Sequence, residues 1–203
     1  MVTLSAEELS KSFGNHRVLS EFTFTLASGI TGIAGPNGSG KSTLLRCLSG
    51  LSRPTSGKIE WKLNGKTVPG SDLTTHLGYV APYVQLYEEL TARENLKFIR
   101  DLRAGQTTIK EPDLLKEFEL SGFIDTLFGE LSSGQQQRVK LAAAAIHQPA
   151  ILCLDEPGTN LDEAGHTLVK KISEKCIDQK GLVLLASNQS RELDLCDRII
   201  NVE

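Results

Sequence analysis

The hydrophobic pattern changes period along the chain. Residues 17–26 (RVLSEFTFTL) alternate apolar and polar positions and are rich in Val, Phe, Thr and Leu, which predicts a strand. Gly57–Leu63 predicts another, with Ile59 and Trp61 on one face. A short apolar run, Ile30–Ala34, leads into a glycine-rich stretch and then a helix over Ser42–Leu48. From Thr91 the period becomes helical, with Leu96, Ile99 and Leu102 in phase and Gly105 as the stop. Glu111–Leu120 predicts a second helix with Pro112 in its first turn, and Gln135–His147 a third, rich in alanine. A buried strand (Ile151–Leu154), a helix (about Asp162–Gln179), a strand (Leu182–Ala186) and a short closing helix and strand complete the chain. Strands alternating with helices imply an α/β fold with a mostly parallel sheet. The early alternating strands form an N-terminal antiparallel β lobe. The stretch 81–130 is expected to interrupt the core, 1–80 and 131–203, as a helical lobe within a single domain spanning 1–203.

Composition narrows the class without naming it. At 203 residues the chain can bury roughly 70% of its unfolded surface, so its fold needs neither disulfide nor metal. A net charge of -3 gives no global attraction to nucleic acid, and none is expected as a partner. No segment approaches the ~20 apolar residues of a membrane helix. The first residues, MVTLSAEELSKSFG, carry two glutamates and no apolar run, unlike a secretory signal. Cys47, Cys153, Cys176 and Cys196 are widely spread and form no CxxC pair, which argues against zinc and for small hydrophobes in a reducing compartment. The histidines (His16, His76, His147, His166) lie outside every motif and are read as structural or solvated.

Three motifs carry chemistry. Gly35-Pro36-Asn37-Gly38-Ser39-Gly40-Lys41-Ser42-Thr43 fits G-x-x-x-x-G-K-[ST] between a predicted strand and a predicted helix, the context of a phosphate-binding loop. Its backbone N–H groups and the helix N-terminus cradle an anion. Lys41 reaches the β- and γ-phosphates of a nucleotide, and the Ser42 hydroxyl ligates Mg2+. This makes the fold a P-loop NTPase core. The second motif, Ile151–Pro157, is an apolar strand ending in Asp155 and Glu156. Such a strand, expected beside the loop strand, delivers Asp155 to Mg2+ directly or through water, and leaves Glu156 to act as a general base on water. Third, LSSGQQQR (131–138) opens the alanine-rich helix. Ser132 or Ser133 caps it, and its free N–H groups offer a second anion site.

Together these residues resemble the ATP-binding subunit of ABC transporters, over the whole length of the chain. LSSGQQQR is similar to that family's signature. The resemblance implies a head-to-tail homodimer, or a pseudo-dimer with a similar chain, with each ATP between one chain's phosphate loop and the other's signature. Ser132, Gly134 and Gln135 would then touch the γ-phosphate held by the partner's Lys41. It implies that Phe13, in KSFGNHRVL, stacks on adenine, the other reading being a core phenylalanine. Asn160-Leu161-Asp162 matches the family's interface loop. The helical lobe is expected to dock on a transmembrane permease subunit, placing the chain in the cytoplasm, peripheral to the inner face of the cell membrane. The alternative is an ABC-type ATPase in cofactor assembly or another non-transport role. A P-loop GTPase is disfavoured, since no N-K-x-D motif is evident. The compact size and LSRPTSGKIEW are weakly similar to the haem or cytochrome c maturation exporter type.

The chain departs from the family pattern at three positions. Aligned on Tyr79 and Thr91, Pro82 stands where the family has glutamine in the loop entering the helical lobe. Gln85 is the nearby candidate to replace it toward Mg2+ and water. Asn188 stands where the family has histidine against the γ-phosphate, and it donates a hydrogen bond but carries no charge. Ser133 replaces the second glycine of the signature.

Overall fold

A computed structural model describes residues 1–102 and 109–203. The expected helix stop at Gly105 lies outside the described residues. In chain order the elements are β1 (Val2–Phe13), β2 (His16–Ala27), β3 (Gly29–Ala34), α1 (Lys41–Leu48), β4 (Ser56–Leu63), β5 (Lys66–Val68), α2 (Gly70–Leu73), β6 (Leu77–Val80), α3 (Ala92–Leu102), α4 (Glu111–Glu117), α5 (Ser133–Ala145), β7 (Ile151–Asp155), α6 (Glu163–Asp178), β8 (Leu182–Ser187), α7 (Ser190–Leu193) and β9 (Arg198–Asn201).

Two sheets form, as the change of period predicts. β2-β1-β4-β5 is antiparallel, and β6-β7-β8-β3-β9 is parallel throughout. The central strands ILCLD and LVLLAS are buried at every position, because helices cover both faces of the parallel sheet. The two-residue alternation sorts their side chains. Leu152, Leu154, Val183 and Leu185 join the core under α5 and α6. Ile151, Cys153, Leu182, Leu184 and Ala186 join the core under α1 and the antiparallel sheet. Asp155 follows Cys153 by two residues, so strand alternation puts it on the α1 face.

One expectation needs correction. The acidic strand β7 is not beside the loop strand β3, because β8 lies between them. Helix α1 closes the gap, packing across β3, β8 and β7. The helices also start and stop within a few residues of expectation. α4 ends at Glu117 rather than Leu120, since Glu119 has φ 54, which ends the helix. The alanine-rich helix begins at Ser133. Its cap is Ser132, in a capping box with Gln135 worth about 1 kcal/mol. α5 is buried from Gln137 to Ala145, and its small side chains let it lie close on the sheet.

Between β6 and α5 the chain makes α3, α4 and a 3-10 turn at Phe128–Glu130. Phe118, Phe128 and Leu114 are fully buried there and continue the core beneath α5. A groove of about 290 Å3 runs between α3 and the edge strand β6, lined by Leu51, Val84, Leu86, Ile99, Leu102 and Lys140. Leu51 and Leu102 are exposed on its rim. Among the described residues no helix is long and apolar enough to cross a membrane.

Candidate functional site

The phosphate loop is shaped by steric necessity. Gly40 has φ 107, and a side chain there would strike Val18. A Cβ on Gly35 would lie 2.2 Å from the Val202 carbonyl, because the chain after β9 packs directly against the loop. Lys41 begins α1 and is buried. Its ammonium donates to the Gly35 carbonyl (2.9 Å) and the Pro36 carbonyl (3.1 Å), and lies 3.8 Å from the Glu156 carboxylate. The Ser39 hydroxyl is buried without a partner. Thr43 is buried beneath the loop, and Asn37 and Gly38 are exposed at its tip.

The acidic pair meets the loop at α1. The Ser42 hydroxyl donates to Asp155 Oδ1 at 2.9 Å. Asp155 is 1% exposed, and its Oδ2 has no partner. An orphaned carboxylate oxygen beside a serine hydroxyl is an oxygen donor set that fits Mg2+. Burial raises the Asp155 carboxyl above its ordinary value, opposed by the Ser42 hydrogen bond and by Arg46 and Lys41. Glu156 is half-buried, with φ 48. Burial raises its carboxyl too, against the pull of Lys41. A raised carboxyl is a better proton acceptor, as a general base requires.

The other predicted residues fall into three places. Asn188 follows β8, and its amide donates to Asn37 Oδ1 at 2.9 Å, over the phosphate loop. Phe13 ends β1 and is 53% exposed with the Lys11 ammonium 4.9 Å over its ring, so it is no core phenylalanine. Ser132, Gly134 and Gln135 sit at the start of α5, and among the described residues no hydrogen bond joins them to the phosphate loop. They connect instead to the segment after the acidic pair. A Cβ on Gly134 would lie 3.0 Å from the Asn160 carbonyl, Gln137 donates to the Pro157 carbonyl at 2.8 Å, and Arg138 pairs with Asp162 at 2.9 Å. Gln85 is exposed in the irregular segment after β6, and no hydrogen bond joins it to the loop among the described residues.

Residues outside every motif also reach the site. Glu192 on α7 is fully buried. It accepts from Gly158 N–H at 2.7 Å, and its charge adds to the burial that raises Glu156. Arg46 donates through Nε to the Ser42 carbonyl at 3.3 Å. The Tyr79 and Tyr83 hydroxyls are hydrogen-bonded to each other, and the Arg46 guanidinium lies 5.3 Å over the Tyr83 ring. Arg46 is discoverable in the sequence as the residue one helical turn after Ser42. The tyrosines become neighbours of the site only through the pairing of Tyr79 with Cys153.

Comparison with known proteins gives the family. Residues 19–159 match the family model described as ABC transporter. The chain is 36% identical, over all of its length and 68% of the relative, to the Nod factor export ATP-binding protein I of Rhizobium sp. (strain N33). It is 34% identical, over 94% of both chains, to the cytochrome c biogenesis ATP-binding export protein CcmA of Photobacterium profundum. The sulfate/thiosulfate import ATP-binding protein CysA of Synechococcus elongatus is 32% identical over 98% of this chain, which spans only 59% of that protein. A dimeric ATP-binding cassette solved in a post-hydrolysis state with ADP and Pi superposes with a TM-score of 0.82 at 26% identity, covering 98% of this chain and 94% of that one. On these matches the chain belongs to the ABC transporter family, as one of its ATP-binding, ATP-hydrolysing cassettes.

Proposed function

We propose that two copies of this chain close head to tail around two ATP molecules, and that opening after hydrolysis drives a separate membrane subunit. The observation that carries the reading is the meeting of Lys41, Ser42, Asp155 and Glu156 in one cluster at the phosphate loop. Lys41 is freed from the loop carbonyls to hold the β- and γ-phosphates. Asp155 and Ser42 hold Mg2+, which neutralises phosphate charge when bound. Glu156 accepts the proton of the attacking water as its oxygen bonds to the γ-phosphorus and the bond to ADP breaks. Phe13, exposed at the end of β1, stacks on the adenine. Ser132, Gly134 and Gln135 complete the site of the partner copy. The Pro157–Asp162 segment, bonded to both the acid pair's strand and the signature helix, passes the state of one site to the other.

Asn188 supports the γ-phosphate as a neutral donor from its position on Asn37. Asn188→Ala is expected to lower the hydrolysis rate roughly tenfold with little change in ATP affinity, since one donor aimed at the transferring group is removed. A stopped assay of phosphate release, run beside nucleotide binding, checks it, and an unchanged rate removes Asn188 from this role.

The groove between α3 and β6 is where the membrane subunit docks. Its apolar rim and the nearly buried Lys140 suit an apolar segment bearing an acidic residue. The chain then lies on the inner face of the membrane, with ATP supplied from the cytoplasm. Tagging the chain in its own cell and extracting membranes in mild detergent is expected to retain a polytopic membrane protein at near-equal stoichiometry. Recovery of water-soluble partners alone would favour a role in cofactor assembly. Export and import subunits match this chain at near-equal identity, and the cargo is set by the membrane subunit.

A further inference from the structure

We propose that Tyr83, held in place by Tyr79 and Arg46, supplies a hydroxyl to the water shell of the metal at Asp155 and Ser42, and so ties nucleotide occupancy to the loop that enters the helical lobe. This rests on the reading of Asp155 and Ser42 as the metal's holders.

The placement follows from the fold. β6 pairs with β7 in parallel register, setting Tyr79 opposite Cys153, two residues before Asp155 on the same face of the sheet. Tyr79 therefore lies in the row that ends at the acid. Its hydroxyl bonds that of Tyr83, which the tight turn from Ala81 brings back toward the sheet, with Val84 N–H donating to the Ala81 carbonyl at 3.1 Å. The rings are tilted by 50° at 6.5 Å between centroids, so the two side chains meet through their polar ends. On the other side Arg46 bridges the metal-holding helix and the loop. Its Nε binds the Ser42 carbonyl while its guanidinium covers the Tyr83 ring. Arg46 thereby ties the Tyr83 ring to the backbone of Ser42, whose own hydroxyl bonds Asp155 at 2.9 Å.

Pro82 has no side-chain donor to offer. Gln85 lies farther along the loop and is exposed, without a bond to the cluster among the described residues. Tyr83 is the loop residue that is both tethered to the metal-holding helix and equipped with a hydroxyl proton to donate. The residues that follow it, Val84 and Leu86, line the groove between the lobe and the core. A change at the metal thus has a short covalent path to that groove.

The test measures metal binding rather than turnover. The full chain carrying Glu156→Gln, loaded with ATP, is titrated with Mn2+ and free Mn2+ is read by electron paramagnetic resonance. Adding Tyr83→Phe keeps the ring over Arg46 and removes only the hydroxyl. It is expected to weaken Mn2+ binding roughly 3- to 10-fold, the effect of one hydrogen bond, while ATP binding in EDTA stays unchanged. Tyr79→Phe, which removes only the tether, is expected to give a smaller loss in the same direction. Equal Mn2+ affinity in Tyr83→Phe and its parent overturns the proposal, as does a loss seen in Gln85→Ala but not in Tyr83→Phe. Failure of the underlying reading shows separately: Asp155→Asn would then leave Mn2+ binding intact, and the proposal falls with it.

Discussion

Replacing Glu156 with glutamine is expected to cut ATP hydrolysis by about 10²- to 10⁴-fold while ATP binding persists, the range associated with losing a general base. The substitution keeps the shape of the side chain and removes its charge. That charge lies 3.8 Å from the Lys41 ammonium, and burial raises its pKa, so the carboxylate is basic and stands beside the residue proposed to hold the phosphates. Removing it leaves Lys41, Ser42 and Asp155 in place, and leaves one fewer negative charge facing the nucleotide. ATP affinity should therefore hold or rise, and the closed dimer should accumulate in size-exclusion chromatography with ATP and Mg2+. Phosphate release and equilibrium ATP binding, measured on the same preparation, separate the two effects. A rate within a few-fold of the parent would assign the proton to another group, and buried Glu192, whose charge already acts on Glu156, would be the next to test.

What the chain reveals on reading depends on how local the physics is. The phosphate loop is legible because its glycines, lysine and hydroxyls are contiguous and sit between a strand and a helix. Asp155 and Glu156 are legible because two carboxylates end an otherwise apolar run. The capping box of Ser132 and Gln135 is a spacing of three residues, written in the sequence itself. The alternation of β2 and the all-apolar β7 and β8 likewise announce one sheet with an exposed face and one buried on both.

Strand order is not local, and there the sequence misleads. β7 and β3 are separated by β8, which comes later in sequence than both, and no feature of Leu182–Ser187 says that it inserts between them. The site still assembles because α1 is long enough to span β8 and reach Asp155 through Ser42. The Tyr79–Tyr83–Arg46 cluster is illegible for the same reason. Each residue is ordinary in its own segment, and only the parallel pairing of β6 with β7 sets Tyr79, and with it Tyr83, on the Asp155 face of the sheet beside Arg46 of α1. Glu192 shows a further limit. A glutamate in a short polar helix reads as solvated, yet it is 1% exposed because it accepts from the Gly158 backbone just beyond the acidic pair.

If each site is shared between two chains, as proposed, two inactive variants restore one another. Lys41→Ala should abolish hydrolysis by removing the cation that holds the phosphates. Ser132→Arg should abolish it by placing a bulky side chain where the partner's nucleotide would meet the signature. Its structural cost is small: Ser132 is exposed, and losing the cap is worth about 1 kcal/mol. In a mixed dimer one site combines both lesions. The other combines an intact phosphate loop with an intact signature. Random pairing of equal amounts makes half the dimers mixed, each with one working site of two, so the mixture should recover roughly a quarter of the parent rate if the sites act independently. A signature acting on its own chain's nucleotide predicts no recovery, because every chain then carries a lesion in its own site. Within one chain the signature bonds to the Pro157–Asp162 segment and not to the phosphate loop among the described residues. That arrangement is the one the complementation test examines, since recovery requires the signature to act on the nucleotide of a second copy.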